Sequence, residues 1–448
     1  MDLKLRLKIV AEYVPYSLGK WTSYIPYKYR LGSQYTDFSN LARHYEHAGP
    51  EKRYTYIIER LNRIVQYAQK NIPFYKILYG PKPIMINNLE DFERLPIITK
   101  SQVREYVRQS TGAMLVNTGG TSGEPLSFYL DRNAWAREWA HMHYIWGLRG
   151  YKHTDLMITM LGKDLGDKLY KYNAVHNEIK INPYKDAGTR LSEIKKIFDR
   201  YPIKYFQGYP SSIYNFFREL ENELDDIDKE LITSKIKSCF FSSEYPIPYM
   251  IKYLRDVWSL KYISWYGHSE MCILAYDSEC NGRYKPFVTY GYAEDVDGVL
   301  CGTSFHNFDM PLIRYATGDL IDSQKNNYGI MDYFQIKEGR EGDFIEDRFG
   351  RKIPLTALIF GRHHEIFNIA DYVQISQTKK GVATLYISFK KDIPITNQEV
   401  LGLFNLKNVN IDFDYVILKE PIYSKSGKFK LKLTESDIQS HTGVKNIL

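Results

Sequence analysis

The chain has 448 residues, of which 44% are hydrophobic and 25% are charged. This composition is ordinary for a globular protein, and a single domain rarely grows past roughly 250 to 300 residues without dividing. The formal net charge of +7 is mild, and the lysines and arginines are spread along the chain. These features predict one large domain with a smaller second domain, and they argue against nucleic acid as a partner.

The cysteines indicate a reduced protein. They include no C-x-x-C pair and no zinc quartet with histidines at suitable spacing. They occur at Cys239, Cys272, Cys280 and Cys301. A cytoplasmic location is the simplest interpretation of this pattern.

The N-terminal segment is aromatic and basic, but Glu12 and Pro15 interrupt its apolar run, so it makes a poor signal peptide. No stretch approaches the roughly 18 apolar residues that would span a bilayer. Two interpretations of the segment stay open: it packs on the protein itself, which is the favoured one, or it rests on a membrane surface.

A helix is predicted over Tyr54–Lys70, where apolar residues recur at helical spacing until Pro73 closes the segment. Further along, Thr99 and Gln102 form a capping-box pattern for the next helix. Lys100 is therefore interpreted as the first residue of that helix rather than as a ligand.

Strands and helices alternate between residues 155 and 270. This alternation predicts an α/β fold with a helix-covered, mostly parallel sheet. Strands are predicted to begin at Leu156, Ile203, Ile236 and Leu260, and helices to lie at Leu191–Phe198, Ile213–Leu224 and Tyr249–Trp258.

Three polar segments follow these strands at the point where each strand ends: GYPSS, SSEYP and YGHSE. In open α/β sheets ligands bind at the carboxyl ends of the strands. The sequence therefore predicts a ligand site at this edge of the sheet.

The pattern changes after Gly282, where shorter strands with glycine turns indicate a smaller, more antiparallel or barrel-like part. A boundary is predicted near Gly339–Asp343. It divides a large N-terminal domain, residues 1–340, from a small mobile α+β lid domain, residues 341–448, with three strands around a helix at Asn397–Phe404.

The segment Asn117–Asp131, NTGGTSGEPLSFYLD, has the composition of a loop that wraps a polyphosphate. Glycines let the main chain approach a ligand, and hydroxyls donate to phosphate oxygens. The residues that provide these groups are Thr118, Gly119, Gly120, Thr121, Ser122 and Gly123. Glu124 stands where a Walker loop requires lysine, and an ordinary surface turn is the alternative.

Three other segments follow this loop along the chain: YGHSE at Tyr266–Glu270, RYATGDL at Arg314–Leu320 and GREGD at Gly339–Asp343. Together they resemble the adenylate-forming superfamily. Within it they are most similar to the phenylacetate–coenzyme A ligase family and its capsular polysaccharide biosynthesis branch. The resemblance runs from about Leu61 to about Leu433.

The resemblance implies a ligase that uses ATP and Mg²⁺ to activate a carboxylic acid as an acyl adenylate, with release of pyrophosphate. The acyl group then passes to coenzyme A or to another acceptor, such as an amine or a sugar hydroxyl. The alternative from another class is a non-catalytic nucleotide-binding scaffold in a polysaccharide pathway. The carboxylic acid itself is not identified by the sequence.

The resemblance also implies residue roles for nucleotide and metal. Residues 118–123 cradle the β- and γ-phosphates, and Glu270 reaches Mg²⁺, a cation that prefers oxygen ligands. A glutamate that compensates a helix dipole is the alternative for Glu270. Tyr266 and Gly267 match the positions at the adenine and the α-phosphate. Ser243 and Glu244 match the segment that lines the other side of the adenine.

Four further roles follow from the resemblance. Asp319 accepts hydrogen bonds from the ribose hydroxyls, with a turn aspartate as the alternative. Arg340 contacts ribose or phosphate, and Asp343 is the hinge. Lys428 enters the site for adenylation, with a solvated lysine in a basic strand as the alternative. One departure is that Leu126 stands after the proline, where many superfamily members have lysine.

Overall fold

The computed structural model describes residues 14–108, 110–117, 126–161, 165–182, 187–242, 246, 248–336, 344–355, 358–359, 362, 364–389, 397–419, 421–422 and 431–442. The α-helices over these residues are α1 (Tyr16–Gly19), α2 (Tyr27–Leu31), α3 (Gln34–Glu46), α4 (Pro50–Asn71), α5 (Pro73–Tyr79), α6 (Leu89–Glu93), α7 (Lys100–Arg108), α8 (Ala134–Gly147), α9 (Ala187–Arg200), α10 (Pro210–Glu223), α11 (Asp226–Lys235), α12 (Pro248–Asp256), α13 (Asn397–Gly402) and α14 (Glu435–Thr442). Short 3₁₀ helices lie at Lys20–Tyr24 and Glu365–Asn368.

The strands are β1 (Met114–Asn117), β2 (Ser127–Leu130), β3 (Leu156–Met160), β4 (Tyr170–Asn173), β5 (Glu178–Ile181), β6 (Ile203–Gly208), β7 (Ser238–Phe241), β8 (Tyr262–Gly267), β9 (Leu274–Asp277), β10 (Lys285–Pro286), β11 (Gly291–Val296), β12 (Val299–Ser304), β13 (Tyr315–Lys325), β14 (Met331–Ile336), β15 (Phe344–Glu346), β16 (Lys352–Pro354), β17 (Ala370–Lys379), β18 (Val382–Phe389), β19 (Asp412–Leu418) and β20 (Lys432–Leu433). None of the described helices is both long and apolar enough to cross a bilayer.

The helix α4 shows how the sequence determines its local structure. Pro50 occupies the first turn, where its missing N–H costs no hydrogen bond, and Pro73 opens the following helix. The apolar positions of α4 recur every three or four residues and are buried in the main core. The predicted helix over Tyr54–Lys70 is confirmed, and it extends further at both ends.

An eight-stranded sheet forms the centre of the large part, in the order β10-β9-β8-β7-β6-β3-β5-β4. The neighbours β3, β5, β6, β7 and β8 pair in parallel, while β4, β9 and β10 pair antiparallel at the two margins. The predicted α/β class with a helix-covered, mostly parallel sheet is confirmed.

Both faces of this sheet are buried. Successive side chains of a strand point to opposite faces. Tyr205 and Phe240 accordingly join a first hydrophobic core with α4 and the antiparallel strands, while their chain neighbours Phe206 and Phe241 join a second core with α9, α10 and α12. Strands buried on both faces explain the near-continuous apolar runs of β3 and β7.

The part after Gly282 is antiparallel, as predicted. Strands β11 to β14 form a four-stranded sheet in chain order, with register shifts between Val299 and Cys301 and between Gln324 and Lys325. The long strand β13 carries the RYATGDL segment into the interior.

The C-terminal part has its own sheet, in the order β19-β18-β17-β20. A third hydrophobic core packs under it, and all its buried members lie between Ile345 and Leu431. This part also touches the large one, because Asn215 Nδ2 donates a 2.8 Å hydrogen bond to the Lys352 carbonyl oxygen.

Candidate active site

The carboxyl ends of the parallel strands meet at one edge of the central sheet. The Tyr209 amide donates to the Met160 carbonyl at 3.3 Å, and the Ser242 amide donates to the Gly208 carbonyl at 3.3 Å. A Cβ at Gly208 would lie 2.5 Å from the Met160 oxygen, so only glycine allows this close approach. The predicted edge therefore forms one continuous surface, and the YGHSE segment leaves β8 beside it.

Glu270 lies just beyond this edge and is held from two sides. Its Oε1 accepts a 2.8 Å hydrogen bond from the Tyr315 hydroxyl, and its Oε2 lies 3.1 Å from His268 Nδ1. An ionised carboxylate only accepts hydrogen bonds, so His268 Nδ1 must carry a proton. Glu270 is 7% exposed, which leaves it buried but still at the margin of the interior.

The electrostatics keep the Glu270 carboxylate charged. Burial alone would raise its pKa, but the hydrogen bond and charge of His268, the Tyr315 hydroxyl and the positive charge of Lys100 together lower this pKa to about 2. Among the described residues each oxygen accepts one hydrogen bond, and a carboxylate oxygen has a further lone pair. A carboxylate that is charged, held in place and still able to coordinate suits Mg²⁺, which is usually bound through one or two carboxylates together with waters and phosphates.

Tyr315 reaches Glu270 because an isolated bridge sets its position. The Ile98 amide donates to the Arg314 carbonyl at 3.0 Å, and the Ala316 amide donates to the Ile98 carbonyl at 3.0 Å. Burial first, and then the charge of Glu270, raise the pKa of Tyr315 far above its usual value, so its hydroxyl stays protonated and donates.

The same bridge brings the start of α7 toward the site. The Thr99 amide donates to Gln102 Oε1 at 2.9 Å, which is one half of the predicted capping box, and the helix begins at Lys100. The interpretation of Lys100 as a helix-start residue is confirmed. Its charge also reaches Glu270, a contribution that helix capping did not predict.

Tyr266 and Asp319 form a second pair across the same two segments. The Tyr266 hydroxyl donates a 2.7 Å hydrogen bond to Asp319 Oδ2. Burial and the neighbouring Asp319 raise the pKa of Tyr266 well above its usual value, so this hydroxyl also stays a donor. Tyr266 of YGHSE thus pairs with Asp319 of RYATGDL. In the opposite direction, Tyr315 of RYATGDL pairs with Glu270 of YGHSE.

The turn that carries Asp319 is built by its neighbours. The Thr317 hydroxyl donates to the Leu300 carbonyl at 2.8 Å and accepts from the Asp319 amide at 3.1 Å. Gly318 has a φ of +83°, a conformation that favours glycine. These contacts fix the direction of the Asp319 carboxylate, so the turn interpretation and a ligand-binding role are compatible.

Arg314 anchors the start of this segment in the interior. Its Nε donates to Glu294 Oε1 at 2.6 Å, and its Nη1 donates to the carbonyl oxygens of Glu93 and Leu95. Arg314 and Glu294 are both buried. This ion pair holds β13 to β11 directly behind Tyr315.

Several predicted site residues lie outside the described residues: Thr118, Gly119, Gly120, Thr121, Ser122, Gly123, Ser243, Glu244, Arg340, Asp343 and Lys428. Their roles stay predictions. Of the predicted residues that are described, Glu270, Tyr266, Gly267 and Asp319 come together at the carboxyl end of β8.

Tyr315 and His268 are the contacts of Glu270 that the sequence did not single out. Tyr315 stands inside a quoted segment, but its partner depends on how the strands pair and not on a local pattern. His268 lies two residues before Glu270 in the YGHSE segment, and its observed contact is with that carboxylate.

Two other histidines have structural contacts. His141 Nε2 lies 2.9 Å from Thr289 Oγ1, and His364 Nε2 lies 2.7 Å from the Leu358 carbonyl oxygen. Within the described parts of the chain no cluster of three histidine, cysteine or carboxylate side chains could hold a metal ion.

No family model matches the chain. Over 317 residues the chain is 23% identical to Protein CapK of Staphylococcus aureus, an alignment that covers 65% of this chain and 68% of CapK. This similarity agrees with the capsular polysaccharide branch recognised from the motifs.

Two solved structures align with most of the chain. A crystal structure of 2-hydroxyisobutyryl-CoA ligase in complex with 2-HIB-AMP and CoA, in the thioesterification state, aligns with 88% of this chain and 93% of its own, at 18% identity and a TM-score of 0.51. A GH3.15 acyl acid amido synthetase aligns with 89% of this chain and 95% of its own, at 12% identity and a TM-score of 0.43. The chain is therefore similar in fold to a CoA ligase crystallised with 2-HIB-AMP and CoA, and this fold and the CapK similarity both agree with the resemblance recognised from the motifs.

Proposed function

We propose that the chain is an ATP-dependent ligase that activates a carboxylic acid as an acyl adenylate and releases pyrophosphate. The observation that carries this proposal is the crossed pairing of the two segments, in which Tyr315 holds Glu270 and Tyr266 holds Asp319. Two carboxylates with separate tasks, one for a metal and one for a ribose, are thereby fixed against the same strand end.

In the proposed reaction a carboxylate oxygen attacks the α-phosphorus of ATP, a new O–P bond forms, and the bond to pyrophosphate breaks. The protein must position the two anions and balance their charge. Bound Mg²⁺ would supply positive charge against the phosphate oxygens. Glu270, whose carboxylate is charged and keeps free lone pairs, is the described residue that would hold it.

The neighbouring residues fit the nucleotide. Gly267 carries no side chain where β8 ends, and the Tyr266 ring is half-buried beside it. An aromatic ring next to glycine suits a base and an α-phosphate. The Tyr266 hydroxyl orients the Asp319 carboxylate through Oδ2, and this carboxylate would accept hydrogen bonds from the ribose hydroxyls.

The remaining roles are proposed on the motif resemblance. Residues 118–123 hold the β- and γ-phosphates, Ser243 and Glu244 flank the adenine, and Arg340 contacts ribose or phosphate. Lys428 approaches the α-phosphate during adenylation. We divide the chain into a large domain, residues 1–340, and a lid, residues 341–448, that turns at Asp343. The separate third core between Ile345 and Leu431 supports this division.

The second half-reaction passes the acyl group to coenzyme A or to an amine or hydroxyl acceptor in the cytoplasm. The solved relative crystallised with CoA supports the first acceptor. The similarity to CapK supports a role in surface polysaccharide biosynthesis.

The proposal is tested by pyrophosphate release from ATP and Mg²⁺ with a panel of aryl, fatty, amino and sugar acids. Release that depends on one class of acid, and that falls at least 100-fold in Glu270→Gln, is the expected result. Gln keeps the shape of the side chain and loses the charge that would bind the metal.

A second pair of variants addresses the lid. Lys428→Ala should lose adenylation while it still binds AMP, and Lys419→Ala, which changes an exposed lysine a few residues earlier in the chain, should keep both. A protein that binds ATP but releases no pyrophosphate with any acid, and whose Lys428→Ala variant binds AMP as the parent does, would instead be a nucleotide-binding scaffold.

A further inference from the structure

A second surface lies far along the chain from the nucleotide residues, in the short helices at residues 16–31. Their inner face is docked on the turn between β4 and β5. The Thr22 hydroxyl donates to the Ala174 carbonyl at 2.7 Å, and Arg30 Nη1 donates to the Val175 carbonyl at 2.9 Å. A Cβ at Gly19 would lie 2.6 Å from the ring of Tyr172, so the segment sits directly against the protein.

The outer face of the same segment is apolar and exposed. Its large side chains and their exposed fractions are Leu18 65%, Trp21 63%, Tyr24 64%, Ile25 47% and Tyr29 72%. We name these five residues, with Lys20 and Lys28, the aromatic–basic surface. Exposed apolar side chains scattered singly need no explanation, but five within twelve residues on a docked segment form a patch.

Two of the exposed rings lie side by side. A 3₁₀ helix has three residues per turn, so side chains three apart lie above one another. Trp21 and Tyr24 are three apart in the 3₁₀ helix Lys20–Tyr24, and their ring centroids are 5.8 Å apart.

Positive charge is interleaved with the rings. The Lys20 ammonium lies 5.3 Å from the centroid of Trp21, and the Lys28 ammonium lies 4.9 Å from the centroid of Tyr29. Residues 14–36 include Lys20, Lys28 and Arg30 but neither aspartate nor glutamate. Residues 14–36 of the chain therefore carry apolar rings and cations and no acidic side chain of their own.

We propose that the aromatic–basic surface binds an anionic membrane surface. Tryptophan and tyrosine favour the headgroup region of a bilayer, because one part of each ring system is apolar and the other is polar. Lysines beside them pair with anionic headgroups. A protein partner is the weaker explanation, since the centres of protein interfaces are depleted of lysine.

The experiment is sedimentation of the full chain with vesicles of phosphatidylcholine alone and of phosphatidylcholine with phosphatidylglycerol. The full chain should bind the anionic vesicles and release them at high salt. Lys20→Gln/Lys28→Gln should weaken this binding about 30-fold, as expected for two lysines near a charged surface. Trp21→Ser/Tyr24→Ser should weaken it at least tenfold, because the inserted apolar area is lost.

The matched control is Ile77→Ser/Phe349→Ser, which removes two even more exposed apolar side chains elsewhere. It should bind as the parent chain does, and all variants should show the parent's circular dichroism. Brominated lipid should also quench the tryptophan fluorescence of the parent more than that of Trp21→Phe. Failure of the parent to bind anionic vesicles would overturn the proposal. Binding by the lysine variant and the aromatic variant that equals that of the parent would also overturn it, and either result would leave a protein partner for this surface.

Discussion

The Tyr315 hydroxyl donates to the Glu270 carboxylate at 2.8 Å across 45 residues of chain. It does so from a strand whose start is fixed by backbone hydrogen bonds to Ile98 and, just before it, by the buried side chain of Arg314. The carboxylate is thus positioned by parts of the chain that are distant in sequence. Substitution of Tyr315, or of the residues that position its strand, should therefore impair the proposed reaction, although it removes no group that touches a substrate.

The first prediction concerns Tyr315→Phe, which keeps the ring and removes the hydroxyl. The unfolding free energy should fall by about 1.5 to 3 kcal/mol, the usual contribution of a hydrogen bond to a charged group. The Mg²⁺ concentration for half-maximal pyrophosphate release should rise, because Glu270 loses one of its two supports. Urea denaturation and metal titration of the activity measure these effects.

The control for this variant is Tyr56→Phe. Tyr56 is also buried, and its hydroxyl has no hydrogen-bond partner among the described residues. Its removal should change stability by less than about 1 kcal/mol and leave the metal dependence unchanged. Equal effects from the two variants would show that the Tyr315 hydroxyl does not support Glu270.

The second prediction concerns Tyr266 and Asp319. Tyr266→Phe should raise the KM for ATP several-fold with a smaller change in kcat, because the carboxylate loses the donor that orients it. Asp319→Ala should raise this KM further. In the double variant the tyrosine substitution should add almost nothing, since its effect passes through Asp319. Independent, additive effects in this cycle would contradict the assigned pairing.

The third prediction concerns the buried pair of Arg314 and Glu294. Arg314→Met should lower the unfolding free energy by about 3 to 5 kcal/mol, because it leaves a buried carboxylate and two backbone carbonyls without their donor. Burial already raises the pKa of Glu294, against the effect of Arg314. Adding Glu294→Gln to the Arg314→Met variant should therefore restore part of the lost unfolding free energy.

An exposed ion pair provides the comparison. Arg348 pairs with Asp412, and both side chains are more than half exposed. Arg348→Ala should cost less than about 1 kcal/mol in the same denaturation assay. If the two arginine variants lose equal stability, Arg314 does not anchor the strand.

Much of the fold could be predicted because each prediction used a local pattern. The alternation of apolar strands with amphipathic helices gave the parallel sheet, and the capping box gave the start of α7 at Lys100. The strands β4 and β5 were not predicted. They are only four residues long and carry charged side chains within the sheet, and Asn177 takes a φ of +51° in the turn between them.

The site was predicted one motif at a time, and its internal contacts were not. YGHSE and RYATGDL each identified a carboxylate, but neither shows that the tyrosine of one pairs with the carboxylate of the other. That pairing depends on the bridge between Ile98 and Tyr315 and on the ladder between β12 and β13. Such long-range register is set by the packing of the whole core.

The last prediction concerns pH and uses Glu270→Gln. Interactions in the folded protein lower the pKa of Glu270 from 4.5 to about 2. Between these values the unfolded chain binds more protons than the folded one. The stability that Glu270 contributes is therefore complete above pH 4.5 and is lost as the pH falls toward 2. The full contribution is about 3 kcal/mol.

Glutamine does not titrate, so the unfolding free energy of Glu270→Gln should fall less steeply than that of the parent as the pH drops below 4.5. Urea denaturation at a series of pH values measures both slopes. Glu90→Gln, at an exposed position in α6, should follow the parent. If Glu270→Gln also follows the parent through this range, the Glu270 carboxylate is not held in its charged form by Tyr315 and His268, and the electrostatic basis for metal binding at this position is lost.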